Sequence, residues 1–344
     1  MERRTILVEI GRERAPPRTR GTSVLDRSRI PLGEAAILLG FRWIRRLERA
    51  LPARLICGLI WPWAALRAAW QLTLTGPTIR QFDRLPAALR PTMSRPAWVT
   101  YLWRERVRVN HARMLCLWRD RLAEGPWSAH CRSDGLERLE REHARGRPVA
   151  LACLHFGPLN VVCHCLRGRG LPLAFLRFLP SDRLPLYWRY VDRLGDRDVR
   201  ALGPIAFDGS ELRPALEHLR SGRILAMVVE RGHGERVRLS GAGFRFDMGT
   251  GVLRMAARTG AVVMPCLITA GAGMSVAIHL GEPVPEELVS DPGRHHLACE
   301  HLFRELFAVV ARYPGQAHSE LIEHLRPAAV GAAVAAEVVP ELIS

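Results

Sequence analysis

The sequence predicts an α/β protein, a mainly parallel, mixed sheet covered by helices on both faces, preceded by a helical N-terminal region. From about residue 130 onward, apolar runs of strand length alternate with amphipathic helical patterns, and repeated strand-helix-strand order implies parallel strands with helices over them. The run VALACL (149–154) is continuously apolar, as in a strand buried on both faces. Ahead of residue 130, helical patterns dominate.

The elements follow in order. Residues 1–30 are expected to form a flexible segment, too charged and with too short an apolar run for a signal peptide. Helices are expected over 32–50, 51–72 and 98–123, separated by Pro-containing breaks at 76–96. This gives a helical region over 31–130, an α/β domain over 131–328 and a tail over 329–344. Asp134-x-x-Glu137 has the spacing of a capping box opening a helix that ends near Gly146. After strand 149–154 come a helix near 158–168, a strand at 171–178, a helix at 181–194, a helix from Ser210 and a strand at 223–229. VRLSGAGFRFD (237–247) reads as a hairpin around Gly241 and Gly243, followed by a helix at 249–260, strands at 261–268 and 274–280, and a helix at 293–312.

Composition removes several chemistries. All 50 basic residues are arginine, so the net charge of +16 comes without a lysine. A Walker-type phosphate loop, a Schiff base and a serine–lysine dyad are excluded. Such a charge suits nucleic acid, an anionic membrane or an acidic protein, but an arginine-only usage makes its sign a weak guide to the partner. The eight cysteines lack the regular spacing of a secreted framework, which points to a reducing cytoplasm. Nowhere do 18 uncharged apolar residues run together. The nearest approach, LICGLIWPWAAL (55–66) between Arg54 and Arg67, fits a helical layer packed on the main domain; the competing reading is a helix lying in a membrane interface.

In open α/β sheets, sites lie outside the carboxyl ends of the strands, which singles out His155 at the end of the buried strand. Pro158 suits the first position of the next helix, so the free N–H groups of Gly157, Leu159 and Asn160 are expected to face the same crevice. An imidazole base beside an anion-binding helix start suits acyl transfer. A metal site is not expected: Cys153 and His155 share a face, but Cys163, His164 and Cys165 fan out around a helix.

Three blocks, GLERLEREHARGRPVALACLHFGPLN, VVERGHGERVRLSGAGFRFDMGTGVLRMAARTGAVVMPCLI and RYPGQAH (312–318), resemble in their order the bacterial lipid A late acyltransferases and the wider lysophospholipid acyltransferase superfamily, over about residues 100–325. The resemblance places His155 on the family's base, Arg177 on its arginine, Glu230 on its later acid, Gly251 on its helix glycine and Pro265 at the end of a strand. It implies transfer of an acyl group from a thioester of acyl carrier protein or coenzyme A to a hydroxyl or amine, on a small-molecule or lipid acceptor, with no cofactor and no metal. Arg177 and Arg231 would hold an anion, and Glu230 would order the site around them. The family carries an acid five residues after the histidine; here that residue is Asn160, which can orient an imidazole but supplies no negative charge. The expected acceptor is therefore one needing little deprotonation, such as an amine; otherwise another carboxylate reaches His155, or the site is inert. The expected location is the cytoplasm, with peripheral contact at the inner face of the cell membrane.

Two other readings remain. YLWRERVRVNHARMLCLWRDR (101–121) interleaves Trp and Arg as nucleic-acid stacking surfaces do, which would suit an RNA- or tRNA-binding protein or an aminoacyl-tRNA-dependent transferase; its apolar positions also fit a core-facing helix with a basic outer side. The third reading is a catalytically inert membrane-surface protein.

Overall fold

The computed structural model describes residues 50–171, 173–177, 205–208, 212–230, 235–241, 243–327 and 335–339. The helix expected at 181–194, most of that expected at 32–50, and Arg231 lie outside the described residues. Helix α1 (Ala53–Trp70) ends in a π-helical turn, and helix α2 (Arg95–Arg113) continues into a tighter stretch, Met114–Arg121, that kinks at Trp118. Polar ties fix α1 and its π-turn against α2: Asn110 donates to Gln71 Oε1 (2.8 Å), and His111 Nε2 to the Cys57 carbonyl (2.8 Å).

The α/β part begins with β1 (Cys131–Asp134), α3 (Leu136–Ala144), β2 (Val149–Cys153) and α4 (Val161–Arg167). Strands β3 (Leu173–Arg177) and β4 (Ile205–Asp208), helix α5 (Leu212–Arg220) and strand β5 (Ile224–Val228) follow. A hairpin of β6 (Arg236–Gly241) and β7 (Phe244–Gly249) leads to α6 (Gly251–Thr259), β8 (Val262–Ala270) and β9 (Val276–Leu280). The described chain closes with α7 (His295–Arg312), α8 (Ser319–His324), β10 (Leu325–Pro327) and β11 (Ala335–Val339).

The main sheet has the order β1-β9-β8-β2-β5-β3-β4. From β8 to β4 every neighbour is parallel; β9 pairs antiparallel with β8 and carries β1 parallel to itself. Strand β2 shows why the sequence is so apolar: Ala150 and Ala152 join the core beneath α5, α6 and α7, while Val149, Leu151 and Cys153 join the core beneath α1, α3 and α4. Both faces are therefore dry, as a parallel sheet covered by helices requires. The expected α/β class, mixed sheet and N-terminal helices are all present.

Several elements differ from expectation for identifiable reasons. The Asp134-x-x-Glu137 capping box does not form: Asp134 is the last residue of β1, paired with His279, and Gly135 takes the N-cap position in a left-handed conformation. Strand β8 does not stop at Pro265 but runs on to Ala270. Pro265 sits where pairing to β2 ends and pairing to β9 begins, a register position at which a missing N–H is tolerated. A second, antiparallel sheet, β10-β7-β6-β11, extends the expected hairpin by one strand on either side. The stretch 101–121 is largely core, with Arg106 and Trp118 each about 1% exposed, so its Trp–Arg interleaving does not form an open stacking face.

At Gly135 the φ of +77° and a Leu280 carbonyl oxygen 2.2 Å from any added Cβ both demand glycine. Gly135→Ala is expected to cost about 1–3 kcal/mol or more from backbone strain alone, whereas Asp134→Ala at the exposed, uncapped neighbour should stay within about 0.5 kcal/mol. Urea unfolding of the two variants measures the contrast; equal losses would show that the cap is formed by Asp134 after all.

Candidate functional site

His155 lies two residues beyond β2 and Glu230 two beyond β5, and these strands are parallel neighbours in register from Val149↔Ile224 to Cys153↔Val228. The pairing continues past the strand ends, with Val229 N–H donating to the Cys153 carbonyl (2.9 Å). This brings the two side chains together at the carboxyl edge of the sheet. Nδ1 of His155 stands 2.7 Å from Glu230 Oε1, and the His155 backbone N–H also donates to that oxygen. Glu230 is fully buried, whereas the His155 side chain is 22% exposed. In the neutral ring, a hydrogen bond from Nδ1 to the carboxylate leaves the lone pair on Nε2. Among the described residues Nε2 has no hydrogen-bond partner, and a base has to be free in just this way.

The hydrogen bond to His155 that was expected of Asn160 is made instead by Glu230. Asn160 is exposed, and its side chain makes no capping hydrogen bond at the start of α4. The chain turns through 157–160 before helix α4 starts at Val161, not at Pro158, so Asn160 lies at the helix mouth with its side chain outward. Gly157 is also committed elsewhere. Its N–H donates to the Gln316 carbonyl (3.0 Å), its φ is +55°, and an added Cβ would lie 1.9 Å from the Ile268 carbonyl oxygen. The glycine lets the chain pass β8 at close range.

Gly251 opens α6 against Met227 of β5, where an added Cβ would make an ordinary 3.5 Å contact. The Gly249 N–H donates to the Val229 carbonyl (2.8 Å), which sets the start of α6 beside the Glu230 corner. Arg177 ends β3, one strand beyond β5 on the same sheet edge; its side chain and all of Arg231 lie outside the described structure. Glu230 also accepts through its backbone carbonyl from Arg236 (2.8 Å).

Sequence reasoning missed the contribution of 313–318. This segment runs antiparallel to 155–157, with a bridge between Phe156 and Ala317 and a bond from the His318 N–H to the His155 carbonyl (3.0 Å). Gln316, fully buried, bonds the Ala270 N–H, the Ala270 carbonyl and Glu105 of α2. The His318 ring lies 6.4 Å from the His155 ring, and its Nε2 donates to the Gly157 carbonyl (2.7 Å). RYPGQAH carried the only available signal, a Gln and a His two residues apart. No group of three or more His, Cys, Asp or Glu that could hold a metal ion occurs among the described residues, and all eight cysteines are buried and none forms a disulfide.

Burial, then the charges of Arg113, Arg106 and His155, push His318 well below the usual histidine range. His111, His130, His218 and His279 are lowered too, each first by burial. A histidine depressed in the folded state binds its proton more readily when unfolded. Its stabilisation is therefore full above the unfolded pKa of about 6.5 and is lost as pH falls below it. The urea midpoint is expected to fall between pH 7.5 and 5.5, and to fall less in His318→Gln; an equal fall would mean that His318 is not held neutral.

Comparison with known proteins adds one match. The sequence profile of the family described as bacterial lipid A biosynthesis acyltransferase matches residues 108–279, half of the chain. No curated protein matches it.

Proposed function

The chain belongs to the bacterial lipid A biosynthesis acyltransferase family, and on that premise we propose that it moves an acyl group from a thioester, of acyl carrier protein or coenzyme A, to a hydroxyl or amine with His155 as general base. The observation that carries this reading is the His155–Glu230 pair at the carboxyl edge of parallel strands. The acceptor's O–H or N–H approaches the thioester carbonyl while Nε2 takes its proton. A carbon–oxygen or carbon–nitrogen bond forms, the carbon–sulfur bond breaks, and the thiolate recovers the proton from the imidazolium. Glu230 fixes the Nδ1–H tautomer and offsets the imidazolium charge, which a buried carboxylate at 2.7 Å is well placed to do. With this carboxylate in place an alcohol is as suitable an acceptor as an amine. Asn160 then has no part in the proton transfer.

Purified protein given acyl-carrier-protein and coenzyme A thioesters, with the product identified by mass, tests the reading. His155→Ala is expected to remain folded and lose at least about 10²-fold in turnover. Glu230→Gln, which keeps the shape but removes the charge, is expected to lose about 10²–10⁴-fold, on the scale of the acid-to-amide change in a serine protease triad. Asn160→Ala should turn over like the unaltered protein. A folded, fully active His155→Ala would remove the assignment.

Contact with a membrane belongs to the same reading. No helix among the described residues is long and apolar enough to cross a bilayer, yet α1 has two apolar faces. Ile56, Ile60, Ala64 and Ala68 are buried, while Leu55, Leu59, Trp63, Leu66 and Trp70 lie 44–74% exposed at helical spacing. Arginines at 54 and 67 flank this face, and the Arg67 guanidinium lies over the Trp63 ring at 5.5 Å. Exposed Leu and Trp bracketed by arginine fit the headgroup boundary of an anionic bilayer, where the acceptor of a lipid acyltransferase resides. Flotation with vesicles containing phosphatidylglycerol should carry the protein upward, and a Leu59→Ser, Trp63→Ser, Leu66→Ser triple variant should stay behind. Equal flotation of both would place the contact elsewhere.

A further inference from the structure

Next to the His155–Glu230 pair, α2 presents two guanidinium groups to the segment 316–318. Arg106 and Arg113 stand seven residues apart, about two turns, on one face of the helix. Arg106, about 1% exposed, donates from Nη1 to the Ala317 carbonyl (3.2 Å), but its Nε has no hydrogen-bond partner. Arg113, partly exposed, places Nη2 3.1 Å from His318 Nε2. That ring nitrogen is already turned to the Gly157 carbonyl, and it cannot donate to one group and accept from the other at the same time. Arg106 thus keeps a buried donor without an acceptor, and Arg113 Nη2 competes with the Gly157 carbonyl for the one ring nitrogen of His318.

Their charge is compensated only in part by the described residues, through Glu320 and, for Arg106, Glu105. Among the described residues neither arginine forms an ion pair with a carboxylate. Glu105, adjacent to Arg106, is held by Arg108 and by Gln316. Burial, followed by the mutual repulsion of the arginines and by Arg67 of α1, pulls Arg106 down to about 9; burial and Arg67 pull Arg113 to about 10. Glu320 opposes this only in part. A buried cation without a counter-charge is costly. Arg113, His318 and His155 all retain some exposure, so a solute reaching His155 is within range of the cluster.

We propose that Arg106 and Arg113, beside His318, form an oxyanion subsite that takes a phosphate monoester of a substrate. A carboxylate would neutralise one guanidinium; a phosphate monoester carries close to two charges and three acceptor oxygens, which answer both. The subsite rests on the acyl-transfer reading only for its use, and two groups could supply the phosphate: the 3′-phosphate of a coenzyme A thioester or a phosphorylated acceptor.

Calorimetric titration with inorganic phosphate, against chloride at matched ionic strength, tests the site without any turnover. Saturable one-site binding is expected, weakened at least tenfold in Arg106→Gln and in Arg113→Gln. Arg113 is partly exposed, so its variant answers the question even if the buried Arg106→Gln fails to fold. Competition then separates the sources: coenzyme A against 3′-dephospho-coenzyme A for the donor, octyl phosphate against octanol for the acceptor. A phosphate-dependent displacement by either supports the subsite. Absence of saturable phosphate binding, or binding undiminished in a folded Arg113→Gln, overturns it. His155→Ala should lose thioester turnover and keep phosphate binding. If the unaltered protein binds phosphate but consumes no thioester with any acceptor, the acyl-transfer reading fails and the subsite stands.

Discussion

A carboxylate with no exposed surface has to find hydrogen-bond donors inside the protein, and in this fold Glu230 finds them on one residue. Both the backbone N–H and the ring N–H of His155 converge on Oε1, while Oε2 has no protein partner among the described residues. Leaving a buried carboxylate unpaired costs several kcal/mol, so the imidazole orientation is tied to the stability of the edge of the sheet. The backbone donor cannot rotate away. It anchors the carboxylate in the place from which the ring is aimed, and the register of β2 on β5 sets both.

The rest of the architecture holds this pair at the boundary between a dry interior and solvent. Beneath it, β2 contributes five wholly buried residues, with side chains alternating between two cores. Above it, the 313–318 segment is stitched to 155–157 by backbone bonds, and Gln316 ties that segment to the end of β8 and to Glu105 of α2. The N-terminal helices are therefore part of the site's wall. Helix α1 in turn carries the exposed Leu and Trp face, so that face and His155 are joined through α2.

What the sequence made legible follows from what local pattern can encode. Continuous apolar runs identified β2, β5 and β8, and alternation with a Gly turn identified the β6–β7 hairpin, because burial on both faces or on one is written in consecutive residues. CRSD of β1 and IAFD of β4 are too short to show either pattern and are strands only because a neighbour pairs with them. Position 160 shows a related limit. The resemblance pointed to the residue five positions after His155, but the chain turns through 157–160 and delivers Asn160 to solvent, and it is the alternative of another carboxylate reaching His155 that the geometry favours. Strand order, which the sequence does not state, put Glu230 beside His155 across 75 residues.

On the proposed reading, the negative charge that an imidazole base requires comes from the neighbouring strand and from the buried side, through Glu230, so the helix start is free of that duty. The same topology distributes the site beyond the stretch that matches the family. Gln316 and His318 lie after residue 279 and Arg106 before residue 108, yet each bonds to the loop around His155 or to the segment laid against it. His155 and Glu230 belong to the α/β body, whereas the Arg106 and Arg113 guanidinium groups beside them arrive on α2. On the same reading, proton transfer and anion recognition fall to different elements of the fold, so a change in α2 is expected to alter which substrate is held while the His155–Glu230 geometry stays as it is.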